Sequence, residues 1–420
     1  MSHSHVQDVI VIGAGIIGIS IALKLQSEGR QVLVLDRSGV AAETSAGNAG
    51  AFAFADVIPL ATPGIMLKAP KWLLDPLGPL SLRPAYALKI LPWMWRFWRA
   101  SSATKYHSAL AAQANLMTLS KAALERQIQV THGDTLIRHE GQLQLYEGEA
   151  EFNASLASWQ TRKEHGVAFE LLNSPEAIAK IQPGIHPRFT HAGFTPEWKN
   201  VVDPALWTQH LATAFNKKGG KIAVSTVRAI EIKEDHVLLK GDTANYQCHQ
   251  LVVATGAWSK TLAQSIGDNL PLDTERGYNT TFSSSEFDLR THLTFSNHGF
   301  VVTKIGKGIR VGGAVELAGL QLKPNFQRAD VLLKKAAAFL PTLDISAGKQ
   351  WMGFRPSMPD SLPVIDYSSH SKRVVYAFGH GHLGLTQSAS TAELVATLLS
   401  GETPSIAMAP YSVERFKTWF

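Results

Sequence analysis

The stretch Val9-Ile10-Val11-Ile12-Gly13-Ala14-Gly15-Ile16-Ile17-Gly18, closed by Gln31-Val32-Leu33-Val34-Leu35-Asp36, decides the fold of this 420-residue chain. Four β-branched residues in succession make a strand buried on both faces, as a parallel sheet requires. Gly13 permits the tight turn into a helix, Gly15 lets backbone approach a pyrophosphate, and Gly18 lets helix and strand pack closely. The N–H groups at the start of that helix then point at the phosphate. A second buried strand ends in Asp36, about twenty residues on, where a carboxylate can hold a ribose hydroxyl. Strand, turn, helix, strand and acid arrive in register. The stretch therefore reads as a dinucleotide site rather than as a structural turn.

Outward from it, the composition is that of an ordinary globular protein, with 45% hydrophobic and 18% charged residues. The length allows one large or two medium domains. A single cysteine, Cys248, excludes an internal disulfide and any multi-cysteine metal or iron–sulfur site. That suits a reducing, cytoplasmic setting, and a first strand beginning by Val9 leaves no expected signal peptide. The formal charge of +6 is spread thinly. It fits anionic small ligands or weak attraction to anionic lipid and does not indicate nucleic acid.

After Asp36, Thr44-Ser45-Ala46-Gly47-Asn48-Ala49-Gly50-Ala51 is expected to pack its small residues against the cofactor. Residues 57–99 are rich in proline and tryptophan (Trp72, Trp93, Trp95, Trp98), interrupted by Lys68, Lys71, Arg83, Lys89, Arg96 and Arg99. No uncharged run is long enough to span a bilayer. The segment reads as a cap over the active site, since aromatics at helical spacing are usually core, or as a patch dipping into a membrane. Further on, helical spacing covers 106–128 and 151–165, with a half-buried strand at 142–146 between them. Asp203 is placed as an N-cap before Pro204. Buried strands at 250–254 and 374–378 run into glycine turns at Gly256 and Gly379, and 294–315 reads as hairpins turning at Gly306-Lys307-Gly308.

Three strand-to-glycine turns are more than a nicotinamide fold needs. The fingerprint with Asp36, Glu43 to Gly50, Trp93-Met94-Trp95, Arg276-Gly277-Tyr278, Ile309-Arg310-Val311-Gly312-Gly313, Gly353 to Ile365 and Gly379-His380-Gly381-His382-Leu383-Gly384 together resemble the D-amino acid oxidase superfamily of FAD enzymes. The likeness runs over nearly the whole chain and is greatest to the bacterial D-amino acid dehydrogenases of the small-subunit type. Departures are Ser361 and Asp366 where the family has glycine, and Arg276 where related dehydrogenases often have lysine.

The resemblance implies an α/β architecture: a Rossmann-type FAD-binding domain assembled from 1–55, 201–265 and 351–420, and a mixed-sheet α+β substrate domain from 56–200 and 266–350. It implies FAD contacts at Gly13, Gly15, Ile16, Ile17, Gly18, Asp36 and Arg37, and in the small-residue loop at Ser45, Asn48 and Ala49. Val227, Ala254, Thr255, Gly256 and Trp258 follow, and the last set is Gly381, His382, Leu383, Gly384 and Thr386. FAD is expected to be non-covalent. The expected reaction is oxidation of a D-amino acid, including D-proline or a hydroxylated D-proline, by hydride transfer from Cα to flavin N5, with a quinone or respiratory-chain acceptor. Contact with the inner face of a membrane through 57–99 stays open. Arg355 reads as the fork that grips the substrate carboxylate, or as a structural salt bridge. Tyr278 reads as a second hydrogen bond to that carboxylate, or as a core tyrosine. His380 and His382 flank the flavin or the substrate entrance, since two histidines without a nearby carboxylate or cysteine make a poor metal site. The rival readings are a glycine- or sarcosine-type oxidase using oxygen and a non-catalytic flavin-binding module.

Overall fold

A computed structural model of the chain describes residues 6–67, 78 and 80–419. His3, His5, Lys68, Lys71 and Trp72 lie outside the described residues. Two large sheets organise the rest. The first has eight strands, built on the order Lys221–Val224, Val32–Asp36, Gln7–Ile12, Asn245–Val253, Val237–Gly241, Val227–Ile232. Ser371–Phe378 joins Asn245–Val253 in parallel, so the buried strands expected at the three glycine turns lie in one sheet. Every side chain from Val9 to Ile12 is buried, as a strand covered on both faces demands.

Helices Ile16–Ser27, Pro204–Lys217 and Gly384–Ser400 cover one face of this sheet. Gly13 holds φ +110°, a conformation closed to residues with a Cβ. A Cβ on Gly18 would lie 1.8 Å from the Gly13 carbonyl oxygen, so helix and strand cross where nothing larger fits. The Asp203 carboxylate accepts from the N–H groups of Ala205 and Leu206, capping the helix that Pro204 opens.

The second sheet has nine strands. Along its length run Lys349–Ser357, Asp273–Phe282, Gly308–Leu317, Phe300–Ile305, His292–Phe295 and Gln142–Glu147, followed by Phe189–Thr195 and Glu170–Leu172. Lys349–Ser357 belongs wholly to this sheet, so the boundary drawn at 351 falls inside a strand. Ser361, at a glycine position of the family pattern, holds φ +66°. Its hydroxyl accepts from the N–H of Leu60 at 3.0 Å, which offsets roughly 1–2 kcal/mol of left-handed strain.

The aromatics of 57–99 divide. In helix Ala87–Ala100, Ile90 and Trp93 are buried, and the Trp93 indole donates to the Ser357 carbonyl. Leu88, Leu91, Trp95 and Trp98 of the same helix are exposed. Helical spacing here produces two apolar faces, and only one of them is core.

Candidate active site

A cavity of about 850 Å³ runs between the two sheets. Its first end is the fingerprint. Asp36 accepts from the N–H of Ala14 at 2.7 Å and from those of Ser38 and Gly39, which fixes the carboxylate at the mouth while leaving lone pairs for a ribose. The Arg37 guanidinium lies 3.8 Å over the Trp258 ring and pairs with Glu43. The Ser45 hydroxyl accepts from the N–H of Ile16, tying the small-residue loop to the start of the first helix. A Cβ on Gly15 would meet that hydroxyl at 3.0 Å, so a side chain there would press on the loop that closes the cradle. Ile17, Asn48, Ala49, Val227, Ala254, Thr255, Gly256, Gly381, His382, Leu383 and Gly384 line the same cavity. An elongated dinucleotide fits this run of backbone turns.

Two of the expected cofactor contacts do not face the cavity. Gly18 is buried against the Gly13 carbonyl and serves packing. Thr386 is buried in the first turn of its helix, where its hydroxyl accepts from the N–H of Ala53 and positions that loop.

Asn279 and Arg310, from the second sheet, grip the small-residue loop from its other side. Asn279 Nδ2 donates to the Gly47 carbonyl at 2.8 Å, and Arg310 Nη1 donates to the carbonyls of Ala46 and Asn48. The flat ring of Trp351 lies where a Gly47 side chain would be. Asn279 is thus a loop anchor. Arg310 was quoted only as part of a motif. Its signal is a cation amid the apolar and glycine residues of a buried strand.

The register of three strands decides the substrate end. Arg355 lies opposite Glu275, and Tyr278 lies opposite Met352. Side chains alternate along a strand, so Arg355, Glu275, Gly277 and Asn279 share the cavity face, while Arg276 and Tyr278 point to the other. The Tyr278 hydroxyl donates to Glu316 at 2.5 Å and accepts from the N–H of Asn325. Arg276 beside it is fully buried and donates to the carbonyls of Gly319 and Leu322. The Tyr278 hydroxyl is thus engaged by Glu316 and Asn325 rather than presented toward Arg355. It belongs to a buried network that staples the 318–325 loop.

Arg355 is different. Its guanidinium lies across Gly277, where a Cβ would come within 2.4 Å, and Nη1 donates to the Ala314 carbonyl at 2.9 Å. No carboxylate lies within 4 Å of it among the described residues, so it is not a salt bridge. Burial lowers its pKa, only partly opposed by Glu275, and burial raises that of Glu275 against the pull of Arg355. The two desolvated groups leave each other short of compensation, and an arriving anion would supply it. Glu275 escaped the sequence because only cross-strand register brings it to Arg355.

His382 lines the cavity, within the field of Arg355. His380 bonds Thr391 through Nε2, and burial pushes its pKa down to about 3. No metal-ligating cluster occurs among the described residues.

The family described as FAD dependent oxidoreductase (DAO) matches residues 8–398. The chain belongs to the DAO family. Its curated relatives include a D-amino-acid oxidase of Bradyrhizobium diazoefficiens, 38% identical over 97% of this chain and 98% of that one. A D-amino acid dehydrogenase of Rhizobium johnstonii is 30% identical over 97% and 99%. Among solved structures, glycine oxidase from Geobacillus kaustophilus superposes with a TM-score of 0.78 at 19% identity, over 98% of this chain and 99% of that one. L-proline dehydrogenase from P. horikoshii superposes at 0.75 and 17% identity, over 99% of each. At those identities the structures show the shared fold. The DAO family is FAD-dependent, and the chain is an FAD-dependent oxidoreductase.

Proposed function

We propose that the chain oxidises D-amino acids to imino acids, with Arg355 holding the substrate carboxylate. The observation that carries this reading is the Arg355 guanidinium, half-buried on the wall of the cofactor cavity with no carboxylate within 4 Å among the described residues. FAD, when bound, accepts the hydride that leaves the substrate Cα. The chain's part is to grip the carboxylate with a fork, to shield the reacting centre from water, and to hold the small-residue loop rigid through Asn279 and Arg310. The names of the curated relatives support the D configuration. An anaerobic screen of D- and L-amino acids, including D-proline and hydroxy-D-proline, tests it. The flavin absorbance should fall with D-amino acids, and bleaching by L-amino acids alone would sink the assignment.

The electron acceptor has two readings. A quinone or respiratory-chain acceptor suits the dehydrogenase relatives, and oxygen suits the relative named an oxidase. Stoichiometric hydrogen peroxide under air would decide for oxygen. We propose also that FAD is held without a covalent bond. Cys248 is fully buried away from the cavity, with its thiol pushed up to about 12 by burial, so it offers no tether. Acid precipitation should leave all yellow colour in the supernatant, and a coloured pellet would show a covalent link.

Peripheral contact with an anionic membrane is the last part of this reading. Trp95 and Trp98 lie together on the exposed face of Ala87–Ala100, their rings tilted with centroids 4.9 Å apart, beside Leu88 and Leu91. From Pro76 to Leu124 no residue is acidic, while Arg83, Lys89, Arg96, Arg99, Lys105 and Lys121 are basic. No helix among the described residues is long and apolar enough to cross a membrane, so contact would be lateral. The protein should pellet with phosphatidylserine-containing vesicles at low salt and detach as salt rises, each basic side chain contributing about 1 kcal/mol near the surface. Trp95→Ser with Trp98→Ser should abolish pelleting without loss of flavin.

A further inference from the structure

The cavity has a polar end remote from the fingerprint that the carboxylate clamp does not use. His292 pairs in register with Gln142, and Thr294 with Gln144, so these four side chains share one face of neighbouring strands and all line the cavity. Trp198 closes over them, its ring 5.3 Å from that of His292. Arg162 enters from helix Gly148–Glu164, where Nε donates to the Ala55 carbonyl and Nη1 to the Ser158 carbonyl. The chamber joins the Arg355 end along Ala53 and Leu383, which pack in one cluster with Trp198.

Its hydrogen bonding does not close. The Trp198 indole N–H and His292 Nδ1 are buried and have no partner among the described residues, although the two side chains are only 6% and 2% exposed. The Gln142 carbonyl oxygen accepts from the Thr195 hydroxyl, which leaves the amide N–H₂ group as the free end. Arg162 has Nη2 left over in the same way. The one acid present is Asp56, whose pKa burial raises against the pull of Arg162, so it is a poor partner for that cation. A buried donor without an acceptor is costly, and the Trp198 indole N–H, beside the Gln142 amide and Arg162 ends that face the same space, calls for an acceptor brought from outside.

We infer that this chamber is a subsite for the substrate side chain, selecting D-amino acids whose side chain ends in a carboxylate or carboxamide. The inference rests on the proposed D-amino acid oxidation. Trp198 and Gln142 supply N–H donors to the terminal oxygen, Arg162 supplies charge, and neutral His292, its pKa lowered by burial to about 3, completes the ring of polar contacts.

Two measurements test it. In the holoenzyme, the ratio of kcat/KM for D-glutamine over D-norleucine should fall about tenfold in Trp198→Phe, which keeps an aromatic ring and removes the donor. An unchanged ratio overturns the subsite. If Trp198→Phe fails to fold, titration of the wild-type flavin spectrum decides. Glutarate or glutaramate should bind at least tenfold tighter than pentanoate, and whichever of the two is tighter identifies carboxylate or carboxamide as the preferred terminus. Pentanoate binding as tightly as both overturns the inference, with water left as the filling of the chamber. Failure of every D-amino acid to bleach the flavin would instead defeat the proposed reaction, and the ligand titration would stand apart from it.

Discussion

Arg355→Met should lower kcat/KM for D-amino acids by on the order of a hundredfold or more, with FAD content and thermal stability near wild type. A hydrogen bond to a charged group contributes roughly 1.5–3 kcal/mol, and a bidentate carboxylate clamp uses two. About 1.4 kcal/mol is tenfold in rate, so losing the pair exceeds a hundredfold. Among the described residues, the guanidinium makes one bond, to the Ala314 carbonyl, and no salt bridge. Methionine matches its length and leaves Glu275 beside an apolar chain. Burial already raises the Glu275 pKa, so that carboxyl can take up a proton and stay in place. Lysine at 355 should rescue only partly, because a point charge cannot reproduce the fork. An amine without a carboxylate serves as control and should be handled no worse by the mutant. Loss of flavin or of fold would mark Arg355 as structural, and full activity on D-amino acids would place the clamp elsewhere.

Gly15→Val should abolish FAD retention while leaving a folded apoprotein. Gly15 precedes the helix with φ −72° and ψ 178°, a conformation open to valine. The obstacle is space. The first carbon added already touches the Ser45 hydroxyl, and the two methyl groups beyond it fill the room that a pyrophosphate needs against backbone. Gly18→Val is the contrasting case. Its Cβ would overlap the Gly13 carbonyl oxygen, so helix and strand must part and the protein should fail to fold. Flavin absorbance together with far-ultraviolet circular dichroism separates the two. A yellow Gly15→Val protein would disprove the cradle.

The dinucleotide half was legible because its signals are local. A β-branched run, spaced glycines and an acid lie within one short stretch, and each constrains its neighbours. Arg355 was visible as a fork-bearing residue within a recognised motif. Tyr278 was read beside it, whereas its hydroxyl bonds Glu316 on the other face, because a strand's alternation fixes faces only within that strand. The phase between 273–282 and 349–357 is a property of the pairing, and a shift by one residue would have exchanged Tyr278 for Asn279. Glu275 and the polar chamber depend on the same cross-strand phase. The division of 87–100 into a buried and an exposed apolar face was hidden for another reason, since helical spacing shows that two faces exist and not which is covered.

The strand order of the first sheet also has a consequence for how the chain comes off the ribosome. Gln7–Ile12 and Val32–Asp36 pair early, yet the other side of Gln7–Ile12 waits for Asn245–Val253, and that strand in turn for Ser371–Phe378. At synthesis rates of about 5–20 residues per second, the first strand keeps an open, apolar edge for roughly 10–50 s before its parallel partner emerges. That is long compared with helix formation or local collapse. The nascent protein is most exposed to aggregation through its most conspicuous motif. A cofactor seat that closes only when Arg310, Trp351 and Gly384 have arrived makes yellow colour a report that the chain was completed.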